Sequence, residues 1–356
     1  MRAAPVHSDP APLWVSLQYL RAVAALLVVA YHLHHSLQRL GYDGGWPDWT
    51  QRGVDVFFVI SGVVMWLTTR GRPIGPLAFY RRRILRIVPL YYLLTTLVSL
   101  TLIAVPAAVQ SGRFDGLHIL GSYLFLPLRH PVLGTPVPVL VPGWTLNCEM
   151  VFYAVFGLTL LLREGLRIPA TMTALALIVL AGAQAPDDSA AAALYGSSIM
   201  LEFGLGLALG AFIGGGRSLP TPYAWAVLGL GTLALAVAPE APRFLTAGLP
   251  ACAIVAGALS LERRGHMPTL PPLLLIGDAS YALYLSHGIV LSACTQFALK
   301  AGLGPSAWLS VVFAVASLCA VTVSAVALYR CVERPLLRRL APAPAVASSA
   351  VPAASH

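Results

Sequence analysis

Charge is what this chain has least of. Only 10% of its 356 residues are Asp, Glu, Lys or Arg, against about a quarter in an ordinary soluble domain. So sparse a set of charges cannot cover a water-exposed surface over most of the length. The five cysteines, Cys148, Cys252, Cys294, Cys319 and Cys331, show no metal-ligand spacing and lie in or beside apolar runs. They read as small buried hydrophobes, and a disulfide framework or metal site is not expected. Neither GxxxxGK[ST] nor GxGxxG occurs, so no soluble-type loop is available to cradle a nucleotide. No internal repeat and no separate soluble domain stand out.

What is present is apolar sequence. Hydrophobic residues make up 58% of the chain and the mean hydropathy is +0.77. A bilayer core takes about 20 apolar residues to cross. Ten such stretches occur, near 14–36, 54–69, 84–106, 144–162, 168–185, 192–214, 222–238, 244–261, 273–298 and 306–329. Pro-, Gly- and charge-rich breaks such as RGRPIGP, GGGRSLPTP and ERRGHMPTLPP separate them. GLHILGSYLFLPL (116–128) is too short for a span and reads as a re-entrant or interfacial helix. The expected fold is therefore an all-α polytopic membrane protein, a bundle of about ten transmembrane helices over 13–340. The Pro/Ala/Ser-rich tail 341–356 is expected to be disordered.

The net charge of +9 would suggest a nucleic-acid partner in a soluble protein. Here its distribution is the informative part, and no nucleic acid is expected. If the spans alternate from a cytoplasmic N-terminus, sixteen of the 23 Lys and Arg residues fall on the inner side, including Arg2, and six on the outer. Arg21 lies within a span. Such a bias places both termini in the cytoplasm. Arg21 followed by AVAALLVVA also imitates a secretory signal. Leu13, Trp14, Val15 and Leu17 are already apolar ahead of it, so the segment is read as a retained span.

An ionisable group inside a span costs roughly 2.5–3.5 kcal/mol on insertion scales and calls for a reason. In LRAVAALLVVAYH (20–32), Arg21 and His32 are eleven residues apart. That is about three full helical turns and a rise of roughly 16 Å, so both side chains face one way. The pair suits a polar lane through the bundle; a snorkelling arginine with an interfacial histidine is the plainer alternative. FYRRRILRIVPLYY (79–92) holds Arg83 and Arg86, which share a helix face at i,i+3. Forked guanidiniums suit phosphate, although an arginine run is also an ordinary inner-side signal. In PGWTLNCEMVFYAVF (142–156), Trp144 reads as an outer interfacial anchor. Glu149 falls near the depth of His32, as an orienting partner for proton transfer or as a structural pair. Asp55 is a further carboxylate on the outer side, and with Trp144 it is a candidate for substrate contact. GDASYALYLSHGIV (277–290) sets Ser280, Tyr281, Tyr284 and His287 as a polar stripe, candidates for substrate contact. Glu202 stands alone in its apolar run, and Glu333-Arg334-Pro335 reads as a helix terminus on the cytoplasmic face.

Taken in order, LRAVAALLVVAYH, GVDVFFVISG, FYRRRILRIVPLYY, GWTLNCEMVFY, SYALYLSH and ERP resemble the acyltransferase 3 family of integral-membrane O-acyltransferases. The resemblance runs from Leu17 to Leu340 and is closest to the branch that acetylates bacterial exopolysaccharides. It implies a ten-helix domain in the bacterial inner membrane and a cytosolic acyl-CoA donor, acetyl-CoA foremost, with no metal. It maps the family's Arg-x10-His motif onto Arg21 and His32, its Arg-x-x-Arg motif onto Arg83 and Arg86, and its acidic position onto Glu149. Cys148 departs from the aromatic residue usual there. The resemblance then implies donor phosphates held at Arg83 and Arg86, a thioester led past Arg21, and His32 as general base on a hydroxyl of a glycan or lipid-linked oligosaccharide. Glu149 would orient the imidazole or balance its positive charge. A transient acyl-His32 is the alternative chemistry. A macrolide or other secreted small molecule is the alternative acceptor, and a proton-coupled transporter is the rival class.

Overall fold

The computed structural model describes residues 14–106, 109, 112–237, 242–304 and 306–340. Arg2, Leu13 and the tail 341–356 lie outside them. Every regular element among the described residues is helical. Seven helical segments are long and apolar enough to cross a membrane: Val15–Arg39, Asp48–Thr69, Pro76–Ala104, Glu164–Ala183, Phe244–Arg263, Ser280–Lys300 and Trp308–Leu340. Two shorter apolar helices, Ser198–Gly214 and Thr221–Val237, accompany them. The remaining expected stretch carries a 16-residue helix, Trp144–Thr159. The doubtful segment 116–128 forms only the eight-residue helix Gly116–Tyr123.

The elements that build the site are α1 (Val15–Arg39), α2 (Gly53–Thr69), α3 (Pro76–Ala104), α4 (Gly116–Tyr123) and α5 (Trp144–Thr159). After α6 (Glu164–Ala183) and α7 (Ala190–Tyr195) come α8 (Glu202–Gly214), α9 (Thr221–Val237) and α10 (Leu249–Arg263). The chain closes with α11 (Pro271–Asp278), α12 (Ser280–Lys300), α13 (Ala307–Leu328), a π turn at Tyr329–Glu333 and α14 (Arg334–Leu340).

Helix α1 runs through the interior and packs against α2, α10, α11, α12 and α13. Its first turn has no side-chain cap of its own. Glu262, at the end of α10, fills that role: its carboxylate accepts from the Val15 and Ser16 amides at 2.7 and 3.0 Å. Two of the amide groups that a helix start leaves unpaired are thereby satisfied from a distant helix. At the other end Gly41, with φ 87°, takes the left-handed conformation that closes a helix, and the Tyr42 amide returns to the Leu37 carbonyl.

Helices α2 and α8 meet along small residues, the usual means of close approach where lipid removes the hydrophobic drive. A Cβ on Gly62 would meet the Phe203 carbonyl oxygen, and one on Gly206 would meet that of Val59. Beside this seam Phe58, Phe203 and Phe152 stack, with ring centroids 4.5 and 4.3 Å apart, and join α2, α8 and α5. The outward faces of α3, α6 and α13 carry exposed Leu97, Leu100, Leu177, Leu180, Val315 and Val323, as lipid-facing surfaces do.

Candidate active site

A cavity of about 140 Å³ lies within the bundle, walled by α1, α2, α3, α5 and α12. It gathers the ionisable residues that the sequence scatters. Arg21 comes from α1, Arg83 and Arg86 from α3, Glu149 from α5, and Ser280, Tyr281 and Tyr284 from α12. Of the three consecutive arginines, Arg81 and Arg82 are exposed and only Arg83 turns inward, three residues before Arg86 on the same face.

Each charge is fixed by a specific neighbour. Glu149 accepts from the Ser61 hydroxyl at 2.6 Å and from the Tyr153 hydroxyl at 2.9 Å. Tyr153 is one helical turn along α5, so that contact is local; Ser61 reaches across from α2. Arg83 and Arg21 line the same cavity as Glu149. Arg83 lies over the Phe79 ring, 5.7 Å from its centroid. Arg86 lies 5.8 Å from the Tyr281 centroid and forms a 2.7 Å ion pair with the buried carboxylate of Glu333. Arg21 Nε donates to Ser280 Oγ at 3.1 Å. Tyr281 is held by its hydroxyl, which donates to the Ile87 carbonyl at 2.7 Å. Three guanidiniums thus share the cavity wall with one carboxylate, Glu149, and Glu333 holds Arg86 from outside that wall, which suits a pocket for something anionic or strongly polar.

His32 is not in that wall. Its Nδ1 stands 2.9 Å from the Val28 carbonyl. A carbonyl only accepts, so Nδ1 carries the hydrogen and a neutral ring keeps its lone pair on Nε2. His287 repeats the device, with Nδ1 2.6 Å from the Tyr284 carbonyl. The two imidazoles adjoin, with centroids 4.8 Å apart. Tyr284 belongs to both groups: it lines the cavity, and its ring lies 6.0 Å from that of His287.

These contacts revise two expected roles. Glu149 was expected to orient His32, but its hydrogen-bond donors are Ser61 and Tyr153, while the backbone at Val28 orients the imidazole. The histidine's ring neighbour from another helix is His287. Asp55 was expected to meet substrate, but it is fully buried. Both its oxygens accept from Arg243, through Nε and Nη2 at 2.8 Å each. A fork of this kind ties α2 to the π turn Phe244–Gly248. Glu202, also fully buried, lies against Gly248, and neither of its oxygens has a hydrogen-bond donor among the described residues. Trp144, expected as an interfacial anchor, is half-buried and meets the Phe58 ring edge-on at 6.4 Å.

Ser61, Tyr153 and Arg243 were not anticipated. Tyr153 could have been found from its spacing of four to Glu149. Ser61, a lone hydroxyl in GVDVFFVISG, and Arg243, 188 residues from Asp55, carry no such local signal.

A helical membrane bundle thus carries an arginine- and glutamate-lined interior cavity, with the adjoining His32 and His287 reached through Tyr284. The acyltransferase domain that defines the acyltransferase 3 family matches residues 14–330. The chain belongs to that family, and it is a multi-pass membrane acyltransferase. Among curated proteins it is similar to the exopolysaccharide production protein ExoZ of Rhizobium meliloti (strain 1021). The two are 38% identical over 295 residues, which cover 81% of this chain and 89% of that protein. It is also similar to protein 2 in the picA locus of Rhizobium radiobacter, at 29% identity over 191 residues, 49% of this chain and 94% of that one. No solved structure matches significantly.

Proposed function

We propose that this protein moves an acyl group, acetyl foremost, from cytosolic acyl-CoA to a hydroxyl of an extracytoplasmic or lipid-linked glycan, with both chain termini in the cytoplasm. The observation that carries the reading is the fixed His32 ring, whose Nδ1 hydrogen is engaged by Val28. A base held in one tautomer keeps Nε2 available for a substrate hydroxyl. Relatedness to an exopolysaccharide production protein supports a glycan acceptor. The volume of the arginine-lined cavity supports a short acyl group. At about 140 Å³ it matches the ~150 Å³ that accepts a benzene ring in an engineered apolar cavity.

In this mechanism His32 Nε2 takes the proton of the acceptor hydroxyl as its oxygen attacks the thioester carbonyl. The tetrahedral intermediate collapses with breakage of the C–S bond, and the imidazolium returns its proton to the departing thiolate. Arg21 and Arg83 line the passage along which the donor's arm reaches toward His32, and Glu149 balances their charge. General-base help of this kind is worth about 10²–10⁴-fold.

The test compares purified wild type, His32→Ala and Arg83→Ala/Arg86→Ala for acetyl-CoA binding and for transfer or hydrolysis. Turnover lost with His32 while binding survives, and binding lost with the arginine pair, supports the assignment. A folded wild type that binds no acyl-CoA overturns it and brings the transporter forward.

A further inference from the structure

A second cavity, of about 330 Å³, adjoins the first. Arg21 and Arg86 line both, so the two spaces meet at these side chains. The remaining charges around the second cavity are Arg334 and Arg338 from α14 and Asp278 from the end of α11, with Tyr329 from the π turn beside them. Four guanidiniums therefore line it with one carboxylate, Asp278, and of the four Arg86 is also paired with Glu333.

Arg334 and Arg338 are both exposed and lie one turn apart. Like charges at i,i+4 repel and weaken a helix. Arg338, in the last turn, suits the helix dipole, but Arg334 one turn earlier does not gain from it, whereas an anion seated between them accounts for both. General attraction to the inner membrane surface does not single them out either. Arg330 and Arg339 lie on the same closing segment, are equally exposed, and line neither cavity.

Size separates the tasks of the two spaces. The inner cavity is too small for a nucleotide, and its Arg83 lies over the Phe79 ring. The second one has more than twice the volume and the larger net positive charge. We propose that Arg334 and Arg338, with Arg86, form the binding site for the phosphate groups of the donor, leaving its thioester arm to pass between Arg21 and Arg86 into the inner cavity. This inference rests on the acyl-CoA donor of the proposed function and moves the phosphate grip from Arg83 to the closing helix.

The test titrates acetyl-CoA, 3′,5′-ADP and S-acetylpantetheine, which lacks the phosphates, into the full-length protein in phosphatidylcholine nanodiscs. Wild type, Arg334→Ala/Arg338→Ala and the charge-matched Arg330→Ala/Arg339→Ala are compared. Two lost charge-assisted contacts should weaken acetyl-CoA and 3′,5′-ADP by about 30-fold or more. The KM for acetyl-CoA should rise with them while kcat at saturating donor stays within about threefold, by the uniform-binding argument. S-acetylpantetheine should be unaffected, and the charge-matched variant should resemble wild type. An equal loss in the charge-matched variant, or an equal loss for S-acetylpantetheine, overturns the site. Nanodiscs containing phosphatidylglycerol give a further arm. If an anionic lipid headgroup is the true occupant, the Arg334/Arg338 variant will lose phosphatidylglycerol binding yet bind acetyl-CoA and 3′,5′-ADP as wild type does, and the proposal fails. If wild type binds neither acetyl-CoA nor 3′,5′-ADP, the donor itself is wrong. That outcome is distinct from a site failure, in which wild type binds and the variant binds equally well.

Discussion

The guanidinium of Arg86 and the carboxylate of Glu333 stand 247 residues apart in the chain and 2.7 Å apart in space. Their contact fastens the closing segment to α3 at the junction of the two cavities. Glu333 is 2% exposed and Arg86 about a third. Removing one partner of a fully buried pair costs 3–5 kcal/mol; with one end partly solvated, about 1–3 kcal/mol is expected for Glu333→Ala. Glu333→Gln, which keeps an acceptor, should cost less. Thermal unfolding in detergent measures both, and a Glu333→Ala protein as stable as wild type would show that the pair does not hold the segment in place.

Glu149 depends on two hydroxyls from different helices. Ser61→Ala and Tyr153→Phe each delete one hydrogen bond to a charged group, worth about 1.5–3 kcal/mol. Each should slow transfer by roughly 10- to 100-fold if Glu149 must stay fixed near Arg83 and Arg21. The double variant should be worse than either alone. Turnover measured beside melting curves separates lost positioning from lost folding. Unchanged turnover in a folded double variant would remove Glu149 from the working site.

The Asp55–Arg243 fork and the adjacent Glu202 should respond oppositely to neutralisation. Asp55→Asn weakens the fork to Arg243, which is a third exposed, and should cost about 1–3 kcal/mol. Neither oxygen of Glu202 has a donor among the described residues, so Glu202→Gln should be neutral or mildly stabilising. Comparing the two melting temperatures tests the distinction, and a larger loss for Glu202→Gln would reverse it.

Outside the spans, the rings of His118 on α4 and His130 in the following loop lie 5.1 Å apart, edge to face. Burial pushes both imidazoles below the ordinary histidine range, and for His130 the neighbouring His118 adds to the effect. The folded protein therefore takes up fewer protons than the unfolded chain just below the usual value of about 6.5. The stability held by this pair is complete above that pH. It is lost as pH falls toward the lower folded values. Neither ring nitrogen of His118 has a partner among the described residues, so His118→Leu should be tolerated at pH 7.5 and should flatten the loss at pH 5. Melting curves at the two pH values check this. A wild type equally stable at both would contradict it.

The sequence determined the class of this molecule on its own. Charge too sparse for a soluble surface and apolar runs of spanning length dictate a helical membrane bundle, because backbone groups in lipid must pair within their own segment. Ordered motifs led to the acyltransferase 3 family, and the i,i+3 spacing put Arg83 and Arg86 on one wall. The tertiary structure decided which partners each buried charge has. Glu149 is held by Ser61 and Tyr153, Arg86 by Glu333, Asp55 by Arg243, and His32 stands beside His287. Helical periodicity fixes only the face on which a side chain emerges. Which other face meets it depends on how separate helices pack, and along the α2–α8 seam that is set by where Gly62 and Gly206 let two backbones touch.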